Sequence, residues 1–244
     1  MDTKVIKSKF PIFKNKINGK QLTYLDSANS SQKPKTVIDR ISKFYSKEFS
    51  NIGRSVHSLA VTATNRFEET RNMMQKFINA KHREEIIFTK NATEAINLIA
   101  STYGDKFIKE GDEIIITELE HHANYVPWHF IRQKKGAIIK FAKCNDKGEV
   151  EIDEIKKLIT NKTKIIAITH LSNVTGAIMP IKKIVDLANE KKIPVLVDGC
   201  QGAPHLKIDM QELGCDFYAI SCHKMYGPTG VGILYAKKKW LDVL

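Results

Sequence analysis

Pro194-Val195-Leu196-Val197-Asp198 is an unbroken apolar run that ends on an acid. Without polar alternation it predicts a strand buried on both faces, which belongs in a parallel sheet covered by helices. Glu85-Ile86-Ile87-Phe88-Thr89, Glu113-Ile114-Ile115-Ile116-Thr117, Ala137 to Phe141, Ile165 to Thr169 and Asp216 to Ser221 read as further strands. Between them lie helical patterns through Ala92, Ala95, Ile96 and Ile99, from Asn124 to Lys134, from Ile152 to Ile159 and from Ile181 to Glu190. Such alternation, from about residue 65 onward, predicts an α/β domain. The turn Gly227-Pro228-Thr229-Gly230 is too short for a helical crossover, so Val231 to Tyr235 should run antiparallel to the strand before it. The expected fold is a mainly parallel sheet with one antiparallel strand and helices on both faces. The early residues, with Tyr24-Leu25-Asp26-Ser27-Ala28-Asn29 and a helix from Lys35 to Phe49, read as an arm. The expected division is an arm and helix over 1–50 and a ligand-binding domain over 51–244.

Composition narrows the function classes. The 244 residues are 42% hydrophobic, enough for one substantial core. The net charge of +12 comes largely from short lysine clusters such as Lys182-Lys183, Lys191-Lys192 and Lys237-Lys238-Lys239, with no basic arm, so no nucleic-acid partner is expected. No apolar run is long enough to span a bilayer, and Met1-Asp2-Thr3-Lys4 does not open a signal peptide, so a cytoplasmic protein without membrane contact is expected. Cys144, Cys200, Cys215 and Cys222 show neither paired zinc spacing nor, in the cytosol, a reason to form disulfides; no metal site is expected.

In open α/β sheets ligands gather at the carboxyl ends of the strands. Asp198, His121 and Lys224, in Ser221-Cys222-His223-Lys224, each stand just beyond a predicted strand end and can converge. A lysine that forms an imine with an aldehyde, and an acid that keeps a pyridine nitrogen protonated, are what pyridoxal phosphate requires. Either residue alone would read as a loop cap or a surface lysine; the neighbours decide. Asn91-Ala92-Thr93-Glu94 opens a helix after a strand, so Ala92 and Thr93 offer an amide and a hydroxyl to a phosphate, although ordinary N-capping fits that stretch equally well. Ser221 and His223 flank the lysine as further phosphate donors. His121 can stack on the ring, Gln201 can reach its phenolic oxygen, and Asn173 can approach the ring or a substrate carboxylate.

Four stretches carry a family resemblance: Tyr24-Leu25-Asp26-Ser27-Ala28, Thr117-Glu118-Leu119-Glu120-His121-His122-Ala123-Asn124, Leu196-Val197-Asp198-Gly199-Cys200-Gln201, and Ser221-Cys222-His223-Lys224-Met225-Tyr226-Gly227-Pro228-Thr229-Gly230. The chain resembles the aminotransferase class V enzymes, most closely cysteine desulfurases of the sulfur-mobilisation (Suf) type, over nearly its whole length. The resemblance implies the large domain of a fold type I pyridoxal-phosphate transferase. It implies Lys224 as the Schiff-base lysine and, with His121, the catalytic pair. Asp198 becomes the pyridinium partner, Gln201 the partner of the phenolic oxygen and His121 the stacking group. Thr93, Ser221 and His223 would bind phosphate, with Ala92 beside them and Asn173 near cofactor and substrate.

The implied reaction takes L-cysteine, or L-selenocysteine, to alanine and hands the sulfur through an enzyme persulfide to an acceptor protein for iron–sulfur cluster assembly. A homodimer is implied for the full-length form. Relatives run well beyond 244 residues, so the expectation is a C-terminally truncated chain with the small domain largely missing, lacking the nucleophilic cysteine and a carboxylate-binding arginine. Gly53 and Ser55 stand where close relatives carry histidine and glycine, and Asn29 replaces a small residue. The alternatives are another class V enzyme, an aminotransferase or kynureninase-like lyase, and a non-catalytic desulfurase remnant.

Overall fold

The computed structural model describes residues 2–244. Chain contacts divide it into two compact units, Met1–Met74 with Cys222–Gly230, and Gln75–Ser221 with Val231–Leu244.

The first unit holds helix α1 (Thr3–Ser8), a hairpin of β1 (Lys16–Ile17) and β2 (Lys20–Gln21), helix α2 (Lys35–Lys43) and helix α3 (Ser58–Phe77), along which the chain passes to the second unit. The helix expected to run to Phe49 ends at Lys43 and continues as a π turn over Phe44–Glu48. A π turn places residues i and i+5 on one face. Phe44 and Phe49 meet there with ring centroids 5.9 Å apart, and Tyr45 stacks on Phe49 at 5.5 Å.

The second unit contains β3 (Ile86–Thr89), α4 (Ala92–Phe107), β4 (Glu113–Thr117), α5 (His122–Lys135), β5 (Ile138–Ala142), α6 (Ile152–Leu158), β6 (Thr163–Thr169), α7 (Ile181–Glu190), β7 (Val195–Asp198), α8 (Gly202–His205), α9 (Met210–Leu213), β8 (Phe217–Ser221), β9 (Gly232–Ala236) and α10 (Lys238–Leu241). Glu85 leaves the predicted strand for a 3₁₀ turn, because its carboxylate accepts from the amides of His82 and Lys238, both at 3.0 Å.

Seven strands form one sheet in the order β3-β9-β8-β7-β6-β4-β5. Only β9 opposes its neighbours; all other pairings are parallel, as expected. Ile114, Ile116, Ile165, Ala167, Leu196 and Phe217 pack with Ile96, Ile99, Trp128 and Ile131 of α4 and α5. The alternate residues Ile115, Ile166, Ile168, Val195 and Val197 point the other way and are equally buried. Both faces are therefore covered, and each such isoleucine or valine contributes about 1.5–3 kcal/mol on burial. Helix α7 buries one stripe, Ile181, Ile184, Val185 and Ala188, at the spacing of an amphipathic helix. Among the described residues no helix is long and apolar enough to cross a membrane.

The chain leaves β4 for β5 on one side, and β6 then enters on the other. This reversal is the topological switch point, where the carboxyl ends of strands open a crevice.

Candidate active site

Asp198 is the last residue of β7, level with Thr169 of β6 and Ala219 of β8. It is buried, and its Oδ1 accepts a 2.9 Å hydrogen bond from the Cys200 amide. The turn after it is tight because Tyr218 lies against it: a Cβ on Gly199 would sit 1.8 Å from the Tyr218 ring, and one on Gly202 2.7 Å from its hydroxyl. The Tyr218 hydroxyl lies 2.8 Å from His170 Nδ1. Burial pushes His170 down to about 4 and Tyr218 well above its ordinary range, so at neutral pH a neutral phenol and a neutral imidazole share this hydrogen bond. Among the described residues Asp198 has no ion pair. A buried carboxylate in that state suits a cationic group brought in by a ligand, such as a protonated ring nitrogen.

The start of α4 gathers the groups of a candidate anion site. Asn91 caps the helix by accepting from the Glu94 amide at 2.8 Å, and the Ala92 amide donates to Ser221 Oγ at 3.0 Å. Thr93 is exposed beside them. A Cβ on Gly232 would fall 2.4 Å from the Asn91 carbonyl carbon, so β9 approaches the helix start closer than any other residue allows. The 16-residue helix with hydroxyls at its first turn fits a phosphate through its dipole and its donors.

Glu120, absent from the residues singled out in the sequence, ties the switch point together. Its Oε1 accepts from the Thr117 hydroxyl at 2.6 Å and from the Thr169 amide at 2.9 Å, and its Oε2 accepts from Asn124 Nδ2 at 2.7 Å. Asn124 in turn accepts from Trp128 Nε1 at 3.3 Å. The ends of β4 and β6 and the start of α5 are thus joined by one carboxyl. Burial pushes that carboxyl up to about 7, helped by the charge of Asp198 and opposed by the three hydrogen bonds. The i,i+4 spacing of Glu120 and Asn124 on a helix entrance was the available signal. His121 is the N-cap of α5, its Nδ1 accepting from the Ala123 amide at 3.1 Å, so a neutral ring carries its proton on the exposed Nε2.

Gln201 is buried at the start of α8. Asn173 is exposed on the loop after β6, which is closed by the Leu171–Ile178 bridge. Within the large unit Ala92, Thr93 and Ser221 therefore meet at the helix start, while Asp198, Gln201, His121 and Asn173 follow the ends of β7, β4 and β6. Lys224 and His223 lie on a 3₁₀ turn, Cys222–Lys224, that begins directly after β8. His223 Nδ1 pairs with Ser30 Oγ at 3.1 Å, and burial, then the charges of Lys224 and Lys33, hold its imidazole below the usual value.

Three of the four cysteines have thiols held above their ordinary value by their surroundings. Burial pushes Cys215 up to about 12 and Cys222 up to about 11, and burial with the Glu118 charge raises Cys144. Among the described residues no cluster of three metal-binding side chains occurs.

The profile of the aminotransferase class V family matches residues 23–244. The chain is 48% identical over 242 residues to a probable cysteine desulfurase of Halalkalibacterium halodurans, an alignment that covers 99% of this chain and 60% of that protein. The cysteine desulfurase CsdA of Escherichia coli superposes with a TM-score of 0.88 at 36% identity, over 100% of this chain and 60% of that one. SspA, solved in complex with cysteine, superposes at 0.85 and 28% identity, over 91% of this chain and 63% of that one. The chain spans about three-fifths of the length of these relatives. It belongs to the aminotransferase class V family of pyridoxal-phosphate enzymes.

Proposed function

We propose that these residues form the cofactor-holding part of a cysteine desulfurase, which converts L-cysteine to L-alanine and passes the sulfur to a cysteine thiol. The observation that carries the reading is Asp198: a buried carboxylate at a strand end, without an ion pair among the described residues, in a chain 48% identical to a probable cysteine desulfurase. Pyridoxal phosphate, when bound, supplies an electrophilic carbon for the substrate amine and a ring that accepts the electron pair left at the α carbon. Asp198 would keep the ring nitrogen protonated, and Lys224 Nζ would hold the aldehyde carbon and take the α proton. Thr93, Ser221 and His223 would bind the phosphate beside Ala92. His121 would lie over the ring, Gln201 would donate to the phenolic oxygen, and Asn173 would face the substrate carboxylate.

We assign residues 51–244 to the cofactor domain and 1–50 to an arm. L-cysteine, and L-selenocysteine beside it, are the proposed substrates, with a homodimer, a sulfur-acceptor protein and a cytoplasmic site of action. The test is spectroscopic. L-cysteine added to cofactor-loaded protein should change the near-visible absorption band saturably, and L-glutamate should not. A response to L-glutamate alone would make the chain an aminotransferase.

A further inference from the structure

The turn that carries Lys224 is gripped from the arm at two points. The carbonyl of His223, directly before the lysine, accepts from the Ser31 amide at 3.0 Å, the Ser31 hydroxyl at 2.9 Å and Lys33 Nζ at 2.8 Å. Two residues after the lysine, the Tyr226 amide donates to Ser31 Oγ at 2.8 Å. One hydroxyl therefore gives its proton to one side of Lys224 and accepts a proton from the other. Tyr226 sits at φ 67°, a left-handed conformation that costs a non-glycine residue free energy and persists only where its surroundings hold it. Its ring meets Phe10 with centroids 5.9 Å apart, a third hold from the arm.

Lys33 is the unusual member. Its ammonium is partly buried, donates to the carbonyls of Ser31 and His223, and has no ion pair among the described residues. Drawing a cation out of water is costly, and here the offset comes from two charge-assisted hydrogen bonds to carbonyls, which tie Lys33 to the turn. Lys224's own amine takes no hydrogen bond among the described residues, so its position depends on its backbone.

We infer that Ser31 and Lys33 are positioning residues that fix the backbone on either side of Lys224 and thereby aim its amine. The inference rests on Lys224 being the cofactor lysine, and the experiment separates the two. In cofactor-free protein, hydrogen exchange at the Tyr226 amide should quicken about fivefold or more in Ser31→Ala, with exchange in β6 unchanged. In the second arm pyridoxal phosphate is added and the growth of the near-visible band is timed. Lys33→Met should slow incorporation several-fold, and Lys33→Arg, which keeps charged donors, should restore it; this pair decides the matter if Ser31→Ala does not fold. Unchanged exchange at Tyr226, or loosened exchange with unchanged incorporation, would overturn the clamp. Borohydride fixation of the cofactor to a lysine other than Lys224 would overturn the reading beneath it and leave the exchange result standing.

Discussion

The amide of Ala92, the first residue of α4, donates to the hydroxyl of Ser221, the last residue of β8, at 3.0 Å. This bond joins the proposed phosphate site to the strand that leads into the lysine turn. Ser221→Ala leaves a buried amide unpaired, which costs about 1–3 kcal/mol. We expect the melting temperature to fall by several degrees and pyridoxal-phosphate affinity by about tenfold. Calorimetry and spectroscopic titration check both, and a variant unchanged in either would remove Ser221 from this role.

Asp198→Asn separates charge from shape. Its side-chain oxygen can still accept from the Cys200 amide, so stability should change little. Loss of the charge opposite a ring cation should weaken cofactor retention by more than tenfold. Retention equal to wild type, measured by equilibrium dialysis, would show that no cation is held there.

Much of the fold was legible because its strands are uninterrupted apolar runs. Ile181 to Glu190 was delimited to the residue by its single apolar stripe. The antiparallel β9 followed from the shortness of the turn at Gly227–Gly230. Residues paired in space but remote in sequence were hidden. Ser31 and Lys33 bond a carbonyl some 190 positions away, and nothing in a serine and a lysine of the arm announces that. Glu120 was quoted within a motif, but its value as a tie depends on Thr169, which only strand order places beside it. The π turn at Phe44–Glu48 was missed because helical periodicity does not reveal a register change.

Two buried groups should oppose one another in the pH dependence of stability. Glu120, raised from 4.5 to about 7, binds more protons folded than unfolded, so its contribution falls as pH rises between those values. His170, lowered from 6.5 to about 4, binds fewer protons folded, so its contribution falls as pH drops through that window. Glu120→Gln should therefore climb in stability from pH 4.5 to 6.5 more steeply than wild type, and His170→Gln should decline there. Each departure should amount to on the order of a few kcal/mol at 1.36 kcal/mol per pKa unit. Denaturant midpoints across this range provide the measurement, and three parallel profiles would contradict it.

A thiol attacks as its thiolate. Because Cys215, Cys222 and Cys144 are all raised, iodoacetamide at neutral pH should modify none of them faster than a free thiol. With Cys200 replaced by serine as well, a cofactor-loaded polypeptide of these 244 residues should form no alanine from L-cysteine above a Lys224→Ala blank. Lysine-dependent alanine, abolished by Cys222→Ser, would identify Cys222 as the sulfur acceptor.

The central claim is that Lys224 holds the cofactor. Protein incubated with pyridoxal phosphate, reduced with borohydride and digested should carry the added mass on the peptide containing Lys224. Lys224→Ala should carry none and lose the near-visible absorption. The added mass on another lysine, or on none, would contradict the account.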